Sequence, residues 1–198
     1  MPEVIMTGDF ILNPKTGLIN QAKLCLSPNR DLRPSDGAIE FIVLHGISLP
    51  PGQFGGPEIE NLFLNRLDWD AHSYFTEIRG LEVSAHLLIR RDGGLLQFVP
   101  FNERAWHAGQ SHFRGRTRCN DFSIGIELEG EDDTNYDDRQ YSVLSAVLKA
   151  LMVTYPQLTM REIVGHSDIA QGRKSDPGPA FDWLRLYDEF EKLEEKNN

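Results

Sequence analysis

The chain has 198 residues, a hydrophobic share of 40%, 17 Gly and 11 Pro, values near those of soluble globular proteins, which excludes collagen-like, low-complexity and wholly disordered chains. The length suits one domain whose core can stand without disulfide staples. A formal charge of −10 repels phosphate backbones and anionic headgroups at long range, so neither nucleic acid nor a membrane surface is an expected partner.

Residues 1–10 carry Glu3 and Asp9, with neither a basic region nor the apolar run of a secretory signal, and no stretch approaches the roughly 18 apolar residues of a membrane span. A cytoplasmic protein is expected. Cys25 and Cys119 have no CxxC spacing and read as buried, reduced thiols. Residues 1–37 are broken by Asn13-Pro14, Ser27-Pro28-Asn29 and Arg33-Pro34, so they read as an extended arm packed on the domain. Ile39 to His45 is β-branched and apolar on both faces, the mark of a central strand ending at a histidine. A loop rich in Pro and Gly, 48–57, leads to a short helix near Glu58 to Asn65 that starts at Pro57. Val83 to Arg90 and Leu95 to Val99 flank Asp92-Gly93, a hairpin signal.

Ser123 to Glu129 alternates, with Ile124, Ile126 and Leu128 on one face and Gly125, Glu127 and Glu129 on the other. Asp137 and Gln140 form a capping box for a helix carrying Tyr141, Leu144, Leu148, Leu151 and Tyr155 at helical spacing. A short apolar run, Ile163 to His166, precedes a structureless loop from Ser167 to Pro179. A last amphipathic helix runs from about Ala180 to Glu194 with Phe181, Leu184, Tyr187 and Phe190 on one face. The interleaving predicts an α/β (α+β) domain, a central mixed β-sheet flanked by helices, over 38–190, with a polar tail at 191–198.

HExxH, GxSxG and GxxxxGK patterns are absent from the sequence. What remains is dispersed. His45 and His166 each end a strand-like run, and Asp176 lies in the proline-rich turn Lys174 to Pro179. Two imidazoles and one carboxylate are the ligand set of an open catalytic zinc site. Dispersed ligands carry little statistical weight, so spacing alone favours ordinary strand-end histidines and a turn-forming aspartate. Glu127 can serve as a proton acceptor, beside Gly125 whose bare sheet surface suits an approaching substrate, or be a solvated strand carboxylate, as Glu129 beside it looks to be. Lys174 can stabilise an oxyanion or be a loop lysine. Arg90, Arg91, Arg104, Arg114, Arg116 and Arg118 outnumber Asp92 and Glu103 across 86–118, a solvated face or a carboxylate-binding one. Trp106 can offer its ring to a sugar or sit in the core.

Val43-Leu-His45, Phe54-Gly-Gly-Pro57, Val83-Ser-Ala-His86, Arg104-Ala-Trp-His-Ala-Gly109, Cys119 to Gly130, Gly165-His166 and Lys174 to Pro179 closely resemble the AmpD-type amidases of Gram-negative bacteria. The resemblance runs in order over roughly residues 20 to 187. It implies the mixed-sheet fold shared with phage amidases and peptidoglycan recognition proteins. It also implies a cytoplasmic Zn2+ enzyme that cuts between the lactyl group of 1,6-anhydro-N-acetylmuramic acid and L-alanine in cell-wall recycling. By motif position it makes His45, His166 and Asp176 the zinc ligands, Glu127 the general base and Lys174 the oxyanion lysine. Tyr74, Trp106 and Arg118 match substrate-binding positions. The expected partner is an anhydro-muramyl peptide, and a monomer is expected. Asp176 stands where the animal and phage relatives carry cysteine. Gly46, where asparagine is expected, and Glu82, where some members are basic, depart from the pattern. A periplasmic amidase of intact peptidoglycan and a non-catalytic muramyl-peptide binder are the alternatives.

Overall fold

The computed structural model describes residues 10–34 and 38–195. The first nine residues, the end of the expected arm at 35–37 and the last three residues of the expected tail lie outside the described residues. In chain order the elements are β1 (Leu12–Asn13), β2 (Leu18–Ile19), β3 (Lys23–Leu24), β4 (Arg30–Leu32), β5 (Phe41–Ile47), α1 (Glu58–Phe63) and α2 (Ser73–Glu77). They continue as β6 (Leu87–Ile89), β7 (Leu95–Gln97), β8 (Glu103–Ala105), β9 (His112–Phe113), β10 (Arg116–Thr117), β11 (Ser123–Glu129), α3 (Asp138–Thr154), β12 (Ile163–Gly165), α4 (His166–Ile169) and α5 (Trp183–Glu195).

A mixed six-stranded sheet has the order β12-β5-β11-β6-β7-β3. Its pairs are parallel except for the β6–β7 hairpin, where Gly93 takes φ +84° in the Asp92-Gly93 turn. The arm is more than a strap: β3 becomes the edge strand beside β7, and β4 pairs with β8. Expected as the end of its strand, His45 instead lies inside β5, which continues to Ile47.

β11 corrects the alternating reading. All seven of its residues are buried, including Glu127 and Glu129, because a parallel strand in mid-sheet is covered on both faces. One face packs Ile42, Leu44, Ile124, Ile126 and Leu128 in a cluster with Leu144, Leu148 and Leu151 of α3. The opposite face packs Phe41 and Val43 with Ala108, Cys119, Phe122 and Ile169, and farther along the strands it carries the buried polar His45, Glu127 and Glu129.

The Asp137 cap is formed as the sequence predicts. Its carboxylate accepts from the Arg139 N–H, and the Gln140 side chain accepts from the Asp137 N–H at 3.0 Å. The Arg139 guanidinium bonded to Asp137 holds its carboxyl down at about 2. A depressed carboxylate stabilises the fold above its unfolded value of 3.8 and loses that contribution as pH falls toward 2. Asp137→Ala is expected to cost about 1 kcal/mol in urea unfolding at pH 7, and the difference from wild type should shrink as pH falls through about 2.

α5 starts at Trp183, later than predicted, and its buried face is different. Leu186 is fully buried, with Trp183 and Phe190 packed on the same core, whereas Leu184 is 77% exposed and Tyr187 is also exposed. The helical period supports either stripe, and contact with α3 selects one. Cys119 is buried as expected; Cys25 is only half-buried. Among the described residues no helix is long and apolar enough to cross a membrane.

Candidate active site

Strand register assembles the centre. His45 of β5 lies directly beside Glu127 of β11, and Gly165 of β12 pairs with Leu44, which brings the next residue, His166, level with His45. Asp176 arrives from a loop that the sequence left structureless. In fact His166–Ile169 is a helical turn, the Ser167 N–H donates to the Asp176 carbonyl at 3.0 Å, and the Tyr136 hydroxyl donates to the Pro177 carbonyl at 2.9 Å. Three atoms then converge. His45 Nδ1 and His166 Nδ1 are 3.0 Å apart, and Asp176 Oδ2 is 3.2 Å from the first and 3.1 Å from the second. Ligands about 2.0–2.1 Å from a tetrahedral ion sit a little over 3 Å from one another. This donor set therefore fits a metal ion of that size, and it is the group of described residues able to do so.

Both imidazoles are buried, at 2% and 3% exposure. Burial pushes the His45 imidazole down to about 4, the adjacent Asp176 carboxylate opposing. Burial also tends to raise the Asp176 carboxyl, but the adjoining His166 and His45 rings outweigh it and hold the group well below the usual carboxylate range. Neutral imidazoles and an ionised carboxylate are the forms a metal needs. Glu127 is 9% exposed, and its Oε2 is buried with no hydrogen-bond partner. Burial first, then the Asp176 charge, pushes its carboxyl well above the ordinary value. An orphaned buried carboxylate oxygen is rare in folded proteins and points to a missing polar group or ion.

These residues floor a cavity of about 720 Å³, which Lys174 and Tyr74 also line. Leu62, Phe63 and Ile78 add apolar lining and Glu131, Asp132 and Asp133 acidic lining. Tyr74 is the second residue of α2, a five-residue helix that the sequence reading missed; the His72 side chain caps it by accepting from the Tyr74 N–H at 3.1 Å. Trp106 and Arg118 do not line the cavity. The Trp106 side chain bonds Asp31, and Arg118 is 71% exposed beside Asp121.

The arginine-rich segment does not form a free carboxylate-binding face. Arg90 pairs with Glu60 and Glu129, Arg104 with Asp31 and Asp121, Arg114 with Glu162, and Arg116 with Glu40. Arg91 donates to the Asn135 carbonyl and stacks on Phe54. Glu129 is not solvated either. It accepts from the Gly55 N–H at 2.6 Å, the Arg91 N–H at 3.2 Å and Arg90, pinning the loop after β5. Two glutamates on one strand face thus part company: one is paired, the other is not.

Gly125 was expected to leave the sheet open to substrate. Its bare surface is filled by the His107 ring, which a Cβ there would strike. A side chain at Gly46 would run into the Tyr136 hydroxyl, so this departure is tied to the residue that holds Pro177. Glu82 is exposed, next to the cavity-lining Val83. His107 and Tyr136 had no assigned role in the sequence reading. The one available signal was Gly125, whose missing side chain needed a filler.

Fold and centre together define a hydrolase class: a mixed sheet and the loops at its edge that bring two imidazoles, a carboxylate and an unpaired glutamate into an open cavity. The chain belongs to the N-acetylmuramoyl-L-alanine amidase family, which residues 35–179 match. It is 56% identical over 170 residues to the 1,6-anhydro-N-acetylmuramyl-L-alanine amidase AmpD of Escherichia coli (strain K12), covering 86% of this chain and 92% of that protein. The crystal structure of a selenomethionine AmpD derivative superposes with a TM-score of 0.87 at 52% identity, covering 90% of this chain and 98% of that one. A complex of the amidase AmiD from E. coli with anhydro-N-acetylmuramic acid-L-Ala-D-gamma-Glu-L-Lys aligns with a TM-score of 0.55 at 31% identity, over 79% of this chain and 60% of that one.

Proposed function

We propose that this amidase hydrolyses the amide between the lactyl group of 1,6-anhydro-N-acetylmuramic acid and L-alanine, as a cytoplasmic zinc enzyme of peptidoglycan recycling. The observation that carries the reading is the convergence of His45, His166 and Asp176 beside the unpaired Glu127. The named activity of the relatives supplies the substrate.

His45, His166 and Asp176 would hold the zinc ion, leaving its fourth position open. When bound, zinc supplies a Lewis acid that polarises the amide carbonyl and makes water more acidic, toward a pKa of about 7. Glu127 takes a proton from the attacking water as its oxygen bonds to the lactyl carbonyl carbon. Ionised Glu127, the form that can accept this proton, would be favoured where a bound dication offsets the cost of burying its charge. Lys174 donates to the oxyanion that develops on the carbonyl oxygen. As the C–N bond breaks, Glu127 passes the proton to the L-alanine nitrogen, which leaves as an amine. Tyr74 on the cavity wall contacts the substrate.

The test offers the zinc-loaded chain both anhydro-muramyl tripeptide and intact peptidoglycan and measures the peptide released from each. Faster release from the soluble fragment is expected. Preferential cleavage of the polymer would overturn the recycling assignment.

A further inference from the structure

Ser123, the first residue of β11, has one hydroxyl proton, and its Oγ lies 2.7 Å from the Cys119 carbonyl, which can only accept. The same Oγ is 3.2 Å from His107 Nε2. With its proton committed to Cys119, the hydroxyl must accept from that nitrogen, so His107 carries its proton on Nε2. Its Nδ1 is then a lone pair, 2.9 Å from His45 Nε2. The proton between the two rings belongs to His45 Nε2, which leaves His45 Nδ1 free. That is the atom facing His166 and Asp176.

His166 is set by a different partner from the same loop. Its Nε2 lies 3.3 Å from the Ala108 carbonyl, an acceptor that requires Nε2–H and again leaves Nδ1 bare. His107 and Ala108 are adjacent, and Asn120 Oδ1 accepts from both of their backbone N–H groups, at 3.1 and 2.8 Å. The missing side chain at Gly125 gives the His107 ring its place over the sheet. Strand start, loop and glycine all converge on orienting one imidazole.

We infer that His107 is a positioning residue which, held by Ser123, fixes the tautomer of His45 so that Nδ1 is presented to the metal. This rests on the zinc reading proposed above. Partners of this kind typically change metal affinity by about 10- to 100-fold.

The test is zinc affinity of the full chain, measured by competition with a chromophoric chelator. His107→Leu fills the space without an acceptor and is expected to weaken zinc binding by about 10- to 100-fold. His107→Asn keeps an acceptor oxygen near the Nδ1 position and is expected to recover most of the loss. A folded His107→Leu protein with wild-type affinity, or equal losses in both variants, would overturn the inference. A wild-type chain that takes up no zinc would instead remove the reading beneath it. Nitrogen-15 imidazole spectra of the zinc-loaded native chain decide the matter if the variants do not fold: His107 protonated on Nε2 supports the inference, and protonation on Nδ1 contradicts it.

Discussion

Glu127→Gln is expected to retain zinc and to lower kcat by about 10²- to 10⁴-fold, the usual scale for removing a general acid–base group. The substitution keeps the size of a side chain that is buried and makes no hydrogen bond through Oε2, so little in the fold depends on its charge. Burial disfavours that charge, and the neutral amide removes the penalty. Melting temperature should therefore hold or rise while turnover collapses. The contrast with Glu129 sharpens the expectation. Glu129 lies two residues along the same strand and face, but its carboxylate holds Arg90 and two backbone N–H groups. Glu129→Gln weakens a buried ion pair, so its first effect should be on unfolding. Kinetics and zinc content measured on both variants check this, and near-normal turnover in Glu127→Gln would remove Glu127 from the chemistry.

Asp176→Ala is expected to weaken zinc binding by more than the roughly 100-fold typical of an outer partner, and to abolish activity at ordinary zinc concentrations. The side chain supplies the one anionic donor, 3.1–3.2 Å from both imidazole donors. Without it two neutral histidines remain, too few to hold zinc in an open catalytic site. Asp176→Cys offers a thiolate from the same backbone position, and thiolate is itself a good zinc ligand. It should regain metal that the alanine variant loses. Equilibrium dialysis of the three proteins reads this directly, and wild-type zinc affinity in Asp176→Ala would place the metal elsewhere.

Local signals carried much of the fold. The Asp92-Gly93 turn, the Asp137–Gln140 cap and the apolar runs through β5 and β11 each depend on neighbours within a few residues, and each forms, with β5 running on past His45 to Ile47. What the sequence could not hold was register. His45, His166 and Asp176 are separated by up to 131 residues, and they meet because β12 and β11 lie on either side of β5 in one parallel frame. From spacing alone they looked like strand ends and a turn former; resemblance, not periodicity, picked them out.

The same limit explains the misreadings. Alternation along β11 predicted a solvated face because the sequence does not show what covers it. The arginines of 86–118 looked available because their partners, such as Asp31, Glu40, Glu60 and Glu162, lie far away in the chain. Gly125 read as an opening for substrate, and the His107 ring that occupies it arrives from another loop. In each case the residue type was informative and its partner was not.

The central claim is that one zinc ion, held by His45, His166 and Asp176, is required to split the anhydro-muramyl amide. The most direct measurement titrates metal-stripped full-length protein with zinc while following release of peptide from anhydro-muramyl tripeptide. Activity should rise from background in proportion to added zinc and level off at about one equivalent per chain. Full activity in the stripped protein, or none at any zinc concentration, would contradict the account.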